Sequence, residues 1–351
     1  MKKIIIGSDI SIISKMAYAT GVQRVMVETH KNLKEYLDNH THSLVGVNIS
    51  GSSNFLEHPY LASDPVLNGP WISFDEVDVL LEMDGNIGYV YNEIAERHSQ
   101  IPVITLIHDL LPIKYPEYFQ DISMLYKVYI LKALRISSHL VFYSQSVVDQ
   151  LLELGWDTSA KKVIVPLGAF EIPPATEKQN ILSISLLVIN TIEPRKGYRD
   201  VLDAFDILVA QGHKVEITIV GKYGWNSDEI RNRIKSHQLF GKSLHWYSGI
   251  TDQEIRNLYS KSNISIVASM DEGFGLTLEE GLANSNKVIA RDIPVFRERS
   301  NSNLYFFDGN GASLAEKILE VSSMQWDPNG LKEIRTMRDF AVDLAELILS
   351  I

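Results

Sequence analysis

ISIVASMDEGFGLTLEEGLA, residues 264–283, runs from an apolar strand through an acidic, glycine-punctuated loop into a helix. ISIV is a short, largely β-branched run of the kind found in strands covered on both faces. LTLEEGLA resumes with helix formers. Strand, loop and helix in that order make half of a βαβ unit. Working outward, the same rhythm recurs. Apolar runs at 181–189, 215–220, 244–246, 288–290 and 304–306 read as strands. Helical patterns lie between them, at about 198–210, 228–236, 252–261, 276–283 and 313–321. Thr251 followed by Glu254 is a capping box at one of those helix starts.

A second series precedes this one. Strand patterns at 3–6, 43–47, 77–81, 101–107, 139–142 and 162–165 alternate with helical ones at about 20–37, 122–135 and 147–154. Between the series lies GAFEIPPATEKQN, residues 168–180, rich in proline and polar residues and without a period. It reads as a linker. The fold class is therefore α/β, with two Rossmann-like doubly wound parallel-sheet domains at 1–170 and 171–330. A last helical pattern, about 331–349, has no strand after it, and residues 331–351 are expected to pack back on the first domain. Two such domains joined by a linker leave a cleft at the carboxyl ends of their strands, where ligands of open α/β sheets bind.

Composition bounds the function. The chain has 351 residues, enough for two cores. It contains no cysteine, which removes disulfides, thiolate metal sites and cysteine nucleophiles. MKKIIIGSDI has too brief an apolar run for a signal peptide and reads as a first strand, and no stretch is long enough to span a bilayer. The expected location is the cytoplasm. A net charge of −11 without a basic patch argues against nucleic acid as a partner. There is no D-x-D, no G-x-G-x-x-G after the first strand and no P-loop motif, and His40 and His42 lack a zinc spacing.

In the opening stretch Glu272 sits in the loop and Glu280 about one turn into the helix, while Gly273 and Gly275 permit close backbone approach. Amides at a helix start meet anionic phosphate, and a carboxylate accepts hydrogen bonds from sugar hydroxyls. Spacing alone also allows an exposed loop with a capping glutamate. Arg195 and Lys196 either begin a helix or meet a phosphate. The second fits better, because cations oppose the dipole at a helix N-terminus. His108 follows the apolar run VITLI at the carboxyl end of a strand, either facing the cleft or serving as a structural histidine that orients Asp109. The loops Gly221–Trp225 and Ser248–Ile250 end strands and are candidates for a base pocket, although Tyr223 or Trp225 equally suit packing. Met124 to Ser137 interleaves aromatic and basic residues without an acid, which suits either an anionic membrane surface or a core helix with solvated lysines.

E-G-F-G-L-x-x-x-E, Glu272 to Glu280, resembles the signature of the retaining glycosyltransferases with the GT-B fold, family 4, with Thr277 where proline is usual. NTIEPRKGYRDVLDAFDIL from Asn190, SGITDQEIRNLYSKSNISIVAS, LIHDLLPIKYPEYF and VPLG at Val165 are similar to other segments of that family, so the resemblance spans nearly the whole chain. It is nearest to bacterial transferases of O-antigen and related surface polysaccharides, many of which move mannose or rhamnose. The resemblance implies that Glu272 contacts the donor sugar, Glu280 the ribose, and Gly273, Phe274, Gly275 and Leu276 the sugar and phosphate. Lys196 and Arg195 then neutralise the diphosphate, with Thr191 where the family often has arginine. His108 lies beside the sugar, where its carbonyl or ring supports charge at the anomeric carbon. Gly21, in a Thr-Gly pair replacing the usual double glycine, approaches the diphosphate or is simply a turn glycine.

The resemblance further implies no cofactor and no metal. The donor is a nucleotide sugar, GDP-linked in preference to UDP-linked, and the acceptor a saccharide or undecaprenyl-linked saccharide. Peripheral contact with the inner membrane or with other polysaccharide-assembly enzymes is part of the same expectation. The rival readings are an epimerase or phosphorylase on the same fold, and a carbohydrate-binding scaffold without activity.

Overall fold

The computed structural model describes residues 3–9, 21–48, 66–68, 77–83, 101–119, 121–170 and 183–351. They fall into two compact units, residues 1–168 with 335–351, and residues 169–334.

Among the described residues of the first unit seven parallel strands line up in the order β3-β2-β1-β4-β5-β6-β7. They are β1 (Ile5–Asp9), β2 (Ser43–Asn48), β3 (Val66–Asn68), β4 (Val79–Glu82), β5 (Val103–Ile107), β6 (His139–Phe142) and β7 (Lys161–Ile164). β5, VITLI, is buried along its whole length, as its unbroken apolar run requires. Tyr129, Ile130, Ala133 and Leu134 of the helix Asp121–Ile136 pack into one core with Leu140 and Phe142 of β6. The final helix, Met337–Leu349, lies against the helix Gly21–Asn39 of the same unit.

The second unit holds six parallel strands in the order β10-β9-β8-β11-β12-β13. They are β8 (Ile184–Ile189), β9 (Val215–Val220), β10 (Leu244–Tyr247), β11 (Ile264–Val267), β12 (Lys287–Arg291) and β13 (Leu304–Phe307). The helix Tyr198–Ala210 buries Tyr198, Val201, Leu202, Phe205 and Leu208, the i, i+3, i+4, i+7 stripe of its sequence, against Ile217, Ile219 and Ile266. Each such side chain contributes about 1.5–3 kcal/mol on burial. The chain winds outward from β8 to β10, then crosses to β11 and winds the other way. The loops leaving β8 and β11 therefore emerge side by side at the switch point, where open α/β sheets bind ligands.

Both sheets carry out the doubly wound reading, and four of the helices in the second unit have the bounds their periodicity gives. Three departures have physical causes. β1 runs to Asp9, beyond the apolar residues, because polar Ser8 is itself fully buried at the strand end. β3 is a three-residue edge strand, too short to leave a period. The last helical pattern is broken into a 3-10 turn, Pro328–Glu333, and a helix that starts at Met337, because Thr336 and Asp339 form a capping box. Residues 171–182, most of the expected linker, lie outside the described residues.

One glycine fixes the loop after β8. Gly197 has φ +71° and a Cβ there would stand 2.1 Å from the carbonyl oxygen of Ala268, at the end of β11. Gly197→Ala is expected to destabilise the protein by about 3 kcal/mol, combining left-handed strain with overpacking. Denaturant titration of the two forms checks this, and an unchanged midpoint contradicts the close approach.

Candidate active site

The loops leaving β8 and β11 are bonded to one another before any side chain is considered. The Met270 amide donates to the Arg195 carbonyl at 2.8 Å. Glu193 precedes a 3-10 turn, Pro194–Lys196, that aims Arg195 and Lys196 toward the second loop. There Lys196 Nζ donates to Glu272 Oε1. Arg195 Nη1 stands 3.6 Å from Glu272 Oε2, and its Nε 2.7 Å from Glu193 Oε1. All four side chains are largely buried. Burial pushes the Glu272 carboxyl up, but Lys196 and then Arg195 outweigh it and hold that carboxyl below the usual carboxylate range. Glu272 is thus an ionised, acceptor-only group suited to sugar hydroxyls.

Three of the residues singled out in the sequence are therefore joined: Arg195, Lys196 and Glu272. The reading of an exposed loop with a capping glutamate fails, because Asp271, Phe274 and Glu280 are buried and Glu272 is shielded between two cations. Arg195 and Lys196 do lie in the 3-10 turn that leads into the helix Tyr198–Ala210, where Lys196 is only 8% exposed and ion-paired. Gly275, at φ +102°, caps the helix Leu276–Ala283, and a Cβ on it would meet Phe296 Cε1 at 2.4 Å. Glu280 is buried on that helix, and Glu279 beside it pairs with Arg299 at 3.1 Å.

Arg299 escaped the sequence reading. Its Nη2 donates to the Phe274 carbonyl at 2.6 Å, its Nη1 to the Val295 carbonyl, and its guanidinium lies 3.8 Å over the Phe274 ring. Arg291 is a second such tie, donating to the Ala268 carbonyl at 2.9 Å and pairing with Asp200. Neither residue has a motif. The one available signal was an arginine soon after a short apolar helix, PVFR. Arg299→Ala is expected to lower stability by about 3 kcal/mol through loss of a buried charge-paired network. Thermal unfolding of the variant checks it, and a loss below about 1 kcal/mol removes Arg299 as the anchor.

The remaining candidates of this unit are more peripheral. Thr191 is exposed at the end of β8, where its Cγ2 would crowd a Cβ on Gly224 at 2.6 Å. Ser248 and Gly249 are exposed after β10, two strands from β8, while Ile250 packs on Leu187, Val220 and Tyr259. Tyr223 packs edge-on against Trp246, centroids 4.5 Å apart, and the Arg231 guanidinium lies 5.2 Å over its ring.

In the first unit His108 leaves β5 between the ends of β4 and β6. Its Nε2 donates to the Met83 carbonyl at 2.5 Å, and its Nδ1 accepts from the Tyr143 hydroxyl at 3.0 Å. The proton is therefore on Nε2. The ring does not orient Asp109, whose carboxylate instead accepts from the Leu111 amide at 3.0 Å. Both ring nitrogens are engaged. Gly21 is exposed with no atom within 4 Å of a Cβ, and Thr20 with residues 11–19 lies outside the described residues.

Burial lowers the His108 pKa to about 4. The unfolded chain then binds the extra proton between pH 6.5 and 4, so this histidine's contribution is complete above 6.5 and is lost as pH falls through that window. The loss is up to about 3 kcal/mol. Unfolding free energies of the protein and of His108→Gln across the window should converge toward pH 4. Parallel curves contradict the buried neutral ring.

Two parallel doubly wound sheets, with a cation–carboxylate cluster at the switch point of the second, define the GT-B class. Residues 174–336, nearly all of the second unit, match the family of glycosyl transferases group 1. Over 355 aligned residues the chain is 28% identical to the serotype-specific mannosyltransferase WbdA of Escherichia coli, covering 89% of this chain and 42% of that protein. It is 24% identical to the O-antigen chain mannosyltransferase RfbU of Salmonella typhimurium over 66% of this chain and 65% of that one. The chain thus spans under half the length of the WbdA relative. A glycosyltransferase from Rickettsia africae superposes with TM-score 0.72 at 17% identity, covering 99% of both chains. Anabaena Alr3699/HepE, solved with UDP and glucose, does so with TM-score 0.69 at 15% identity over 100% of both. The likeness to these two structures is one of fold.

Proposed function

We propose that this chain is a retaining, metal-independent glycosyltransferase that moves a mannose or rhamnose-like hexose from a nucleotide-diphosphate sugar. The donor is GDP-linked in preference to UDP-linked. The acceptor is a saccharide or undecaprenyl-linked saccharide of surface polysaccharide (O-antigen) synthesis, met at the cytoplasmic face of the inner membrane. Polysaccharide-assembly enzymes are its partners there.

The observation that carries this reading is the buried Lys196–Glu272–Arg195 cluster at the β8/β11 switch point, beside the glycine loop that opens a helix. The mannosyltransferase relatives support the sugar and the acceptor class. In the proposed reaction the sugar–phosphate C–O bond breaks and the acceptor oxygen bonds to the same face of the anomeric carbon. The acceptor proton passes to the leaving phosphate oxygen. Lys196 and Arg195 stabilise the negative charge that grows on that phosphate, the part a divalent cation plays elsewhere. Glu272 accepts from sugar hydroxyls, and Glu280 from the ribose. The His108 carbonyl supports positive charge at the anomeric carbon.

Four measurements test the proposal. Donor plus a mannosyl acceptor should yield, by NMR, a product with the anomeric configuration of the donor, and an inverted product overturns the mechanism. Chelator should leave the rate unchanged, and a metal requirement overturns the role given to Lys196 and Arg195. Glu280→Ala should weaken GDP binding roughly tenfold to a hundredfold, the worth of hydrogen bonds to a charged group. Unchanged affinity in calorimetry removes Glu280 from the site, and a larger thermal shift with UDP than with GDP reverses the base preference.

A further inference from the structure

The helix Asp121–Ile136 departs from the usual pattern of a surface helix. A surface helix turns one apolar stripe inward and a polar face outward. Here the inward stripe is Tyr129, Ile130, Ala133 and Leu134, all buried. The outward face is apolar as well: Met124 is 66% exposed, Leu125 51%, Val128 40% and Leu131 44%. Met124, Val128 and Leu131 recur at i, i+4 and i+7, so they form one continuous strip with Leu125 at its edge. Contiguous apolar surface of this kind marks an interaction site, unlike single exposed leucines.

The charges around the strip select its occupant. From Ile122 to Ile136 there is no acidic residue, while Lys127, Lys132 and Arg135 stand along the strip. Arg135 continues the strip itself at i+11, and Lys127 and Lys132 flank it on opposite sides. Lys127 also lies 5.8 Å over the Trp156 ring. On the short helices packed against this one, Lys114 and Glu117 offset each other. Three local cations in a chain of net charge −11 are a concentration, not an average. A second copy of the chain would set one cationic trio against another. An anionic lipid surface satisfies both features, because acyl chains take the apolar strip while lysine and arginine stems reach up to the headgroups. At 16 residues the helix is about 24 Å long, short of a bilayer core, so it lies along the interface and does not cross.

We infer that the outward face of the helix Asp121–Ile136 is a membrane-docking surface that seats the protein on an anionic bilayer. The inference is independent of any transferase activity, since lipid binding is read without donor or acceptor.

The test is flotation of the full chain with vesicles of phosphatidylcholine alone and of phosphatidylcholine mixed with phosphatidylglycerol. Binding is expected only to the anionic vesicles, and to weaken with salt. The Lys127→Gln/Lys132→Gln pair should lower it roughly thirtyfold, from about fivefold per basic residue. Leu125→Gln with Leu131→Gln keeps helix propensity and should lower it on the order of a hundredfold. Because both leucines are exposed, the melting temperature of that variant should stay unchanged, which separates lost docking from lost folding. Failure to float with anionic vesicles, or equal binding to neutral ones, overturns the inference. So does light scattering that shows a dimer dissolved by Leu131→Gln, which would give the face to a second copy.

Discussion

The Lys196–Glu272 ion pair is the contact on which the second unit's site is built. It joins the loop after β8 to the loop after β11, two segments 76 positions apart that the crossover of the sheet brings together. Breaking a buried pair by removing one partner costs about 3–5 kcal/mol, because the remaining charge is left in a low-dielectric setting. Neither loop can therefore drift from the other while both side chains are present. The backbone is shaped to suit: Gly197 admits the Ala268 carbonyl where a side chain would collide, and the Met270 amide closes onto the Arg195 carbonyl. The ion pair and the close approach depend on each other.

The first unit solves the same problem without charge. Met83, His108 and Tyr143 follow β4, β5 and β6, three neighbouring strands, and are strung together by two hydrogen bonds through one imidazole. A neutral ring suits this place because burial penalises its protonated form, and a neutral imidazole still has one donor and one acceptor to spend. Tyr143 is anchored in turn by an edge contact to Phe340 of the final helix, with centroids 5.8 Å apart. That last helix thus reaches the strand ends of the unit whose first residues lie more than 300 positions earlier.

What was legible in the sequence follows from what periodicity encodes. Val215–Val220, Tyr198–Ala210 and Leu276–Ala283 were readable because burial imposes a spacing on apolar residues. Polar strand ends such as Ser8 and Glu82 were not, since a buried polar residue at a strand terminus looks like a loop. Thr336 was readable in principle, its box with Asp339 having the form already recognised at Thr251, yet the apolar residues upstream at Leu331 and Ile334 extended the apparent helix. Within the site, the motif pointed to Glu272 and its neighbours, and dipole reasoning pointed to Lys196. Arg299 was invisible, because its task is defined by Phe274 and Glu279, about twenty-five and twenty residues earlier, and by no spacing of its own.

Arg299 also bears on how a neutral cluster attracts an anion. Arg195 and Lys196 are matched by Glu193 and Glu272, so the four side chains carry no net charge toward the diphosphate of the proposed donor. In the proposed reaction the attraction would come from backbone amides at the start of the helix Leu276–Ala283, with Lys196 exchanging part of its bond to Glu272 for a phosphate oxygen. Amides attract only if they point the right way. In a trans peptide the N–H lies opposite the C=O, so the pull of Arg299 on the Phe274 carbonyl turns the Gly275 N–H away from Arg299. The guanidinium that stacks on Phe274 thereby sets the direction of the amide at the head of the helix, and a lysine, lacking the planar fork, would not hold ring, carbonyl and carboxylate together.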